Sequence, residues 1–518
     1  MQSEAPTAAR ILSAATVALS GTVVDVEVDV LSGGLHSFAI VGLPDTAVKE
    51  ARDRVGSALR NSGFSPVHRY GRITVNLAPA DLPKSGSMYD VPIALGILSA
   101  TRQLNAERLR DAIFVGEVAL DGRVRSTPGI LPITLLAKEQ GISTVYVPRE
   151  NMDEARVVDG VQVYGVPDLR TLVAHLRGDT PLRPAPHRVI SPDDDPIQHS
   201  VDMADIRQQH NAKRALEIAA AGGHNVILRG TPGSGKTLLA KALPSILPPL
   251  SVEESIEVTQ VYSVAHLLRG NRTLITRRPF RAPHHSASAV SLIGGGTVPR
   301  PGEISLAHHG VLFLDEFAEF PRQVLENLRQ PLEEGVVTVT RARATATFPA
   351  HVILVAAMNP CPCGYADDPQ HPCRCAPQQR TRYQQKVSGP IMDRIDIQVS
   401  VPRVSIRALQ SSVPDGETSE CIRTRVLRAR ERQAARFGGS ARTNSTLTAA
   451  EMTRLCQPDT EAQELLRTAA TRLGLSARSY HRTLKVARTI ADLVGAERIE
   501  SSHVAEALQY RFRDDGEP

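Results

Sequence analysis

Asn225-Val226-Ile227-Leu228-Arg229-Gly230-Thr231-Pro232-Gly233-Ser234-Gly235-Lys236-Thr237, running on into Leu238 to Leu243, is the stretch that decides the fold of this 518-residue chain. Asn225 to Leu228 is apolar enough for a buried strand, and Leu238 to Leu243 reads as a helix. Gly230 to Thr237 between them fits GxxxxGK[ST] in the strand, loop and helix context that the motif requires. Phosphate oxygens repel carbonyls and side-chain bulk. A loop that binds them therefore uses glycines to turn its N–H groups inward, above a helix N-terminus. Lys236 is expected to neutralise β- and γ-phosphate oxygens, and Thr237 to offer its hydroxyl to Mg²⁺.

Further along, the apolar run Val311 to Leu314 ends in Asp315-Glu316. Ligands of open α/β sheets bind beyond the carboxyl ends of the strands, so two carboxylates there suit a Walker B site. Asp315 would hold the Mg²⁺ shell and Glu316 would orient and deprotonate the attacking water. Val352 to Ala357 is a third apolar strand and leads to Asn359-Pro360, where Asn359 is either a turn former or the residue that positions water, called sensor 1. Arg394, between Asp393 and Asp396, suits a finger that reaches the γ-phosphate of a neighbouring subunit, or else a salt bridge to one of those acids. Arg478, in the first turn of a helix expected from Ser476, is the natural sensor 2, with Arg482 one turn later as the alternative.

At about 150 residues per domain, the length suggests roughly three domains. The alternation of Val24, Val26, Val28 and Val30 with Asp25, Glu27 and Asp29 predicts a strand with one buried face. Val48, Ala51, Val55 and Leu59 predict a helix that ends near Gly63. Runs at Ile73 to Leu77 and Val145 to Val147 complete a mixed α/β domain over residues 1–177. Residues 178–200, rich in Pro and Asp, read as a linker. Strands and helices alternate over residues 201–404, as a parallel sheet requires, and residues 405–518 read as all helical.

Hydrophobic residues at 42% and charged residues at 22% exclude disordered and collagen-like classes. No stretch reaches the roughly 18 apolar residues of a membrane span, and Arg10 alone precedes the apolar segment from Ile11 to Leu19. Neither anchor nor signal peptide is expected. Four of the six cysteines crowd between Cys361 and Cys375, which speaks for a reducing cytoplasm rather than a disulfide scaffold. Cys361, Cys363, Cys373 and Cys375 form two CxC pairs that could enclose a structural Zn²⁺, or remain a reduced loop. Cys421 and Cys456 are expected to be small buried apolar residues. The net charge of +5 permits an anionic partner, and its placement is more telling. Between Glu257 and Glu303 there is no acidic residue, yet Arg269, Arg272, Arg277, Arg278, Arg281 and Arg300 all fall there.

Together these residues resemble the ComM/YifB group of magnesium-chelatase-like AAA+ ATPases, on Ala215 to Thr237, Pro279 to His285, Pro301 to Glu316, Ser388 to Asp396 and Leu475 to Ile490. The resemblance implies an AAA+ P-loop core with a C-terminal helical lid, ATP and Mg²⁺ as cofactors, and a homo-hexameric ring. It also implies a helix-2 insert within residues 252–310 and a hairpin at about residues 336–348, both lining the pore, with Arg341 and Arg343 at the hairpin tip. The implied activity is DNA translocation of the helicase type that drives branch migration in recombination or natural transformation. Other recombination proteins are then expected partners. Arg277, Arg278, Arg281, Arg341 and Arg343 would grip the DNA backbone, which needs no base code. The absence of Trp and 4% aromatic content argue against a base-stacking platform. A chelatase motor subunit that remodels a partner for metal insertion is the alternative.

One departure from the family is visible at Asp205 to Gln209, where Gly tends to precede the Gln. The first domain resembles the Lon-protease C-terminal domain, a Ser/Lys dyad fold. Alignment there puts Met88 and Leu131 where serine and lysine belong, although Lys84, Ser85 and Ser87 lie nearby. A thioether and an alkyl chain cannot transfer an acyl group, so a scaffold rather than an active protease is expected.

Overall fold

Valine alternating with acid builds the first sheet. In the computed structural model, Ser20–Leu31 is a strand in which Val24, Val26, Val28 and Val30 are buried. The structure describes residues 8–31, 35–82, 84, 86–189, 201–268, 274–296, 299–341, 344–366, 368, 370–405 and 416–511, the side chains of Val17, Arg341 and Ala344 excepted. The chain divides into two compact units. The first comprises Met1–Asp194, Ser255–Ile275 and Thr340–Thr347, and the second comprises the remainder.

The main sheet of the first unit is built from β1 (Ala9–Val17), β2 (Ser20–Leu31), β3 (Ser37–Val41), β4 (Arg72–Ala78), β5 (Ala112–Phe114), β6 (Thr144–Pro148) and β7 (Gln162–Val166). They form one seven-stranded sheet in the order β3-β4-β2-β1-β5-β6-β7. β2 is antiparallel to β1 and β4, and the other pairs are parallel. The helix Ala51–Asn61 follows the predicted spacing and ends just before Gly63. Helix Asp90–Ala100 is buried on nearly every side against β1 and β2. In the same unit Leu274 packs with Leu131, Val157 and Val158. Residues 178–189, expected to be linker, lie along this unit, where the Ala185 and Arg188 amides donate to the Val163 and Arg156 carbonyls at 2.8 and 2.9 Å.

The second unit holds a five-stranded parallel sheet made from β8 (Val226–Gly230), β9 (Phe280–Arg281), β10 (Val311–Leu314), β13 (Ile353–Met358) and β14 (Ile397–Val401), in the order β9-β10-β13-β8-β14. The strands β11 (Val336–Arg341) and β12 (Ala344–Pro349) pair with each other in the expected hairpin position. Among the described residues no strand follows Val401, and helices at Ser419–Arg436, Thr460–Arg472, Ala477–Val494 and Ser501–Gln509 share one apolar core with the sheet. Some arginines of the helix Ser419–Arg436 are engaged in this packing. Arg425 meets Glu217 at 2.6 Å, and Arg430 donates to the Ala220 carbonyl at 2.7 Å. Among the described residues no helix is long and apolar enough to cross a membrane.

Candidate nucleotide site

Because the sheet is parallel, Gly230, Leu314 and Met358 all end at one edge, and the side chains that follow them converge there. Gly233 and Gly235 have φ of 75° and 93°, values that glycine adopts without strain, and they lead the loop into helix Lys236–Ile246. The Lys236 ammonium donates to the carbonyls of Gly230 and Thr231 at 2.7 and 2.9 Å and to Asn359 Oδ1 at 3.2 Å. Burial lowers its pKa, opposed by the charge of Asp315. Thr237 Oγ1 donates to Asp315 Oδ2 at 2.8 Å, which sets hydroxyl and carboxylate side by side as two ligands of a Mg²⁺ shell would stand. The hydroxyls of Thr231 and Ser234 are buried with no protein partner, as donors reserved for an anion would be. These residues fit a Mg²⁺-bound triphosphate.

Glu316 has φ 51°, a left-handed conformation that costs a non-glycine residue some energy. Its carboxylate is half exposed and meets His285 Nδ1 at 2.9 Å.

Three family profiles match the chain. The one described as magnesium chelatase, subunit ChlI, covers residues 202–409; that described as subunit ChlI of Mg-chelatase covers residues 26–151; and that of the ChlI C-terminal region covers residues 416–511. The competence protein ComM of Haemophilus influenzae is 45% identical over 97% of both chains. The chain belongs to the ComM/YifB family of magnesium-chelatase-like AAA+ ATPases. An uncharacterised protein of Mycobacterium tuberculosis is 46% identical over 97% of this chain and 98% of its own length. The protein YifB of Escherichia coli is 42% identical over 96% of both chains. Membership in this AAA+ family implies ATP hydrolysis, the use of ATP with Mg²⁺, and a general ATP-driven motor or remodelling role.

Several residues of this ComM/YifB chain acquire roles that the sequence did not announce. His285, from the segment Pro279 to His285, is the partner of Glu316. Gln209 Nε2 donates to the carbonyls of Ser234 at 3.3 Å and Pro402 at 2.6 Å, tying the phosphate loop to the end of β14. The departure noted before it is visible in the backbone, where Gln208 takes φ 55° at the position the family tends to fill with Gly. Tyr383 is buried and bonded to the Asn359 backbone. Only side-chain contacts reveal these partners, since each is remote in sequence from the group it serves.

The arginines of this AAA+ chain separate by environment. Arg394 is 6% exposed: Nη2 meets Glu333 at 2.5 Å, Nη1 donates to the Pro390 carbonyl at 2.6 Å, and Nε donates to the Arg329 carbonyl at 3.2 Å. The guanidinium is thus held inside its own unit, and its acidic partner is neither Asp393 nor Asp396. Arg478 is 62% exposed and 3.8 Å from Asp393, whereas Arg482 is mostly buried and 3.5 Å from Asp396. Burial acts to raise the Asp396 carboxyl, but His224, Arg482 and Arg511 outweigh it and hold the carboxyl below the ordinary range. Arg278 requires a correction as a DNA contact. It donates to the Pro248 carbonyl at 2.6 Å and the His309 carbonyl at 2.7 Å and pairs with Glu254 at 2.8 Å, so its charge is consumed by the fold. Arg281 is forked by Glu303 at 2.6 and 2.7 Å, which neutralises it likewise. Arg277 is partly buried, and Arg343 lies outside the described residues.

The four clustered cysteines of this family member do converge. Their sulfurs all lie within 4.8 Å of one another. In the first unit Met88 and Leu131 are buried apolar groups. Lys84 is fully buried and donates to the Pro79 carbonyl, while Ser87 donates to Glu117; Ser85 is outside the described residues. Cys456 is buried as expected, but Cys421 is exposed.

Proposed function

We propose that this chain is an ATP-hydrolysing motor that assembles as a homo-hexameric ring and translocates DNA, promoting branch migration in recombination or natural transformation. The observation that carries the motor reading is the meeting of Lys236 with Asn359 and of Thr237 with Asp315 at one sheet edge. Thr237 and Asp315 would hold Mg²⁺, which withdraws charge from the phosphates when bound. Glu316 would accept the proton of the attacking water, with Asn359 orienting that water, and Lys236 would balance charge that develops on the phosphoryl oxygens. Arg478 is the sensor 2 of this reading because it is free enough to swing toward a nucleotide, and Arg482 is its alternative. Arg394 would serve a neighbouring subunit's γ-phosphate only after leaving Glu333, so ring assembly would have to break that pair.

DNA is favoured as the track by the full-length likeness to a competence protein, with its N-terminal region included. Arg341, Arg343 and Arg277 remain the proposed backbone contacts. A Zn²⁺ held by Cys361, Cys363, Cys373 and Cys375 is the further cofactor. The six free cysteines support a cytoplasmic setting, and Lon-like residues 1–177 are read as a scaffold without peptidase activity. The ChlI descriptions of the matching profiles favour a second reading, a motor subunit that remodels a partner protein for metal insertion. A synthetic three- or four-way DNA junction separates the two. The chain with ATP is expected to resolve it, the Glu316→Gln form is expected not to, and hydrolysis should rise with DNA and fall with salt. Indifference of ATP hydrolysis to every form of DNA would sink the DNA reading.

A further inference from the structure

Four sulfurs, one irregular loop and the phosphate-binding loop meet at a single place in the second unit. Cys361 and Cys363 sulfurs stand 3.3 Å apart, Cys361 and Cys373 3.7 Å, and Cys363 and Cys373 3.6 Å. These gaps are too wide for an S–S bond of about 2.05 Å. They lie close to the roughly 3.8 Å edge of a tetrahedron whose centre is about 2.3 Å from each sulfur, the Zn–S distance. Cys361 is fully buried, and the backbone amides of Gly364 and Ala366 serve its sulfur as those of Tyr365 and Arg374 serve that of Cys363. Backbone N–H groups aimed at thiolate sulfur are the outer support that a metal site needs.

The same loop is pressed against the nucleotide site. Gly364 has φ 86°, and a Cβ there would lie 2.6 Å from both Cδ and Cγ of Pro232, the residue between Thr231 and Gly233 of the phosphate loop. Any side chain at position 364 would therefore press on the Pro232 ring and force one of the two loops to shift. On one side the loop begins two residues after Asn359. On the other, Cys375 leads into helix Pro377–Gln385, whose Tyr383 returns to the Asn359 backbone. Among the described residues, 361–375 contain no helix or strand, and turn hydrogen bonds and the contacts of Asp368 and His371 hold their path beside the cysteines. A crosslink at their sulfurs would add to that order by removing loop entropy.

We propose that Cys361, Cys363, Cys373 and Cys375 bind one Zn²⁺ as thiolates, and that the metal-closed loop is the seat of Pro232, so that metal occupancy sets how tightly the phosphate loop holds a triphosphate. Each thiol gives its proton to solvent on binding, and no electron moves. The metal site stands on its own geometry, while the coupling rests on the reading of residues 230–237 as a triphosphate site.

Elemental analysis of the full-length chain is expected to find close to one zinc per chain, and Co²⁺ in its place should give the visible bands of a tetrahedral tetrathiolate. Cys373→Ser should lose both. Stripping the metal with a chelator should weaken binding of a non-hydrolysable fluorescent ATP analogue by about tenfold, with recovery on adding Zn²⁺. Gly364→Ala tests the seat directly: it should keep its zinc and weaken the analogue to a similar degree, because the new methyl group displaces Pro232. A chain that is isolated without metal and takes up neither Zn²⁺ nor Co²⁺ overturns the site. A zinc-loaded chain whose affinity is unmoved by stripping and by Gly364→Ala overturns the coupling. Lys236→Ala should lose nucleotide yet keep zinc, so the metal measurement stands apart from the motor reading.

Discussion

Both units hold a lysine among serines or threonines, yet the two clusters are built in opposite ways. Around Lys236 the polar groups lie at the carboxyl edge of a parallel sheet, and two hydroxyls, those of Thr231 and Ser234, are left without protein partners. Around Lys84 the polar groups are engaged within the fold: the ammonium is fully buried against the Pro79 carbonyl, and Ser87 is committed to Glu117. A site that must act keeps donors in reserve, whereas a site that only supports satisfies them internally.

The largest expected effect falls on the open cluster. Lys236→Ala or Glu316→Gln should lower ATP turnover by on the order of 10²–10³-fold, as loss of a group that stabilises transition-state charge does. Phosphate release measures it, and unchanged turnover in either variant would break the comparison at its strong end. Next is the closed unit's own ion pair. Asp90 is wholly buried and is met by Arg54 at 2.7 and 2.9 Å and by the Val118 amide at 3.1 Å. Arg54→Met should cost about 3–5 kcal/mol of that unit's stability, since it leaves a buried carboxylate unpaired. Thermal unfolding reads this, and a loss below about 1 kcal/mol would mean that Asp90 behaves as a surface group.

A smaller effect depends on pH. Burial pushes the Glu154 carboxyl up to about 7, partly opposed by Asn151 and Ser263. Between an unfolded value of 4.5 and about 7 the folded chain therefore binds more protons than the unfolded chain, and stability falls as pH rises through that window. Glu154→Gln should flatten the dependence of the melting temperature on pH and raise it at pH 8 relative to the parent; an undiminished slope would remove Glu154 as its source. The smallest effect is none at all. On the scaffold reading, Ser87→Ala and Lys84→Met should abolish no peptidase activity, and a peptidase signal that either substitution removed would overturn that reading.

Much of the fold could be read from local pattern. The strand Val311–Leu314 and the helices after Lys236 and Ser476 were visible because apolar period and capping residues are short-range signals. Helix Asp90–Ala100 was not, because burial on nearly all sides erases the 3.6-residue alternation that marks a half-exposed helix. The site divided along the same line. Phosphate-loop, Walker B and Asn359 positions follow from strand ends, while the pairing of His285 with Glu316 and of Gln209 with Ser234 joins segments tens of residues apart. The arginines expected on a charged surface show the limit most clearly. Composition counted Arg278 and Arg281 as available charge, and the order of residues offered Arg394 only Asp393 and Asp396 as acidic partners, whereas Glu254, Glu303 and Glu333 are the acids they meet.

The chemistry at hand is legible in local spacing: glycines that expose backbone N–H groups, a lysine, two adjacent carboxylates and four thiols. Which of those groups have neighbours follows from the fold alone. Coulomb and hydrogen-bond partners are set by distance through space, and Gly364 to Pro232 or Arg394 to Glu333 are distances that no linear pattern encodes.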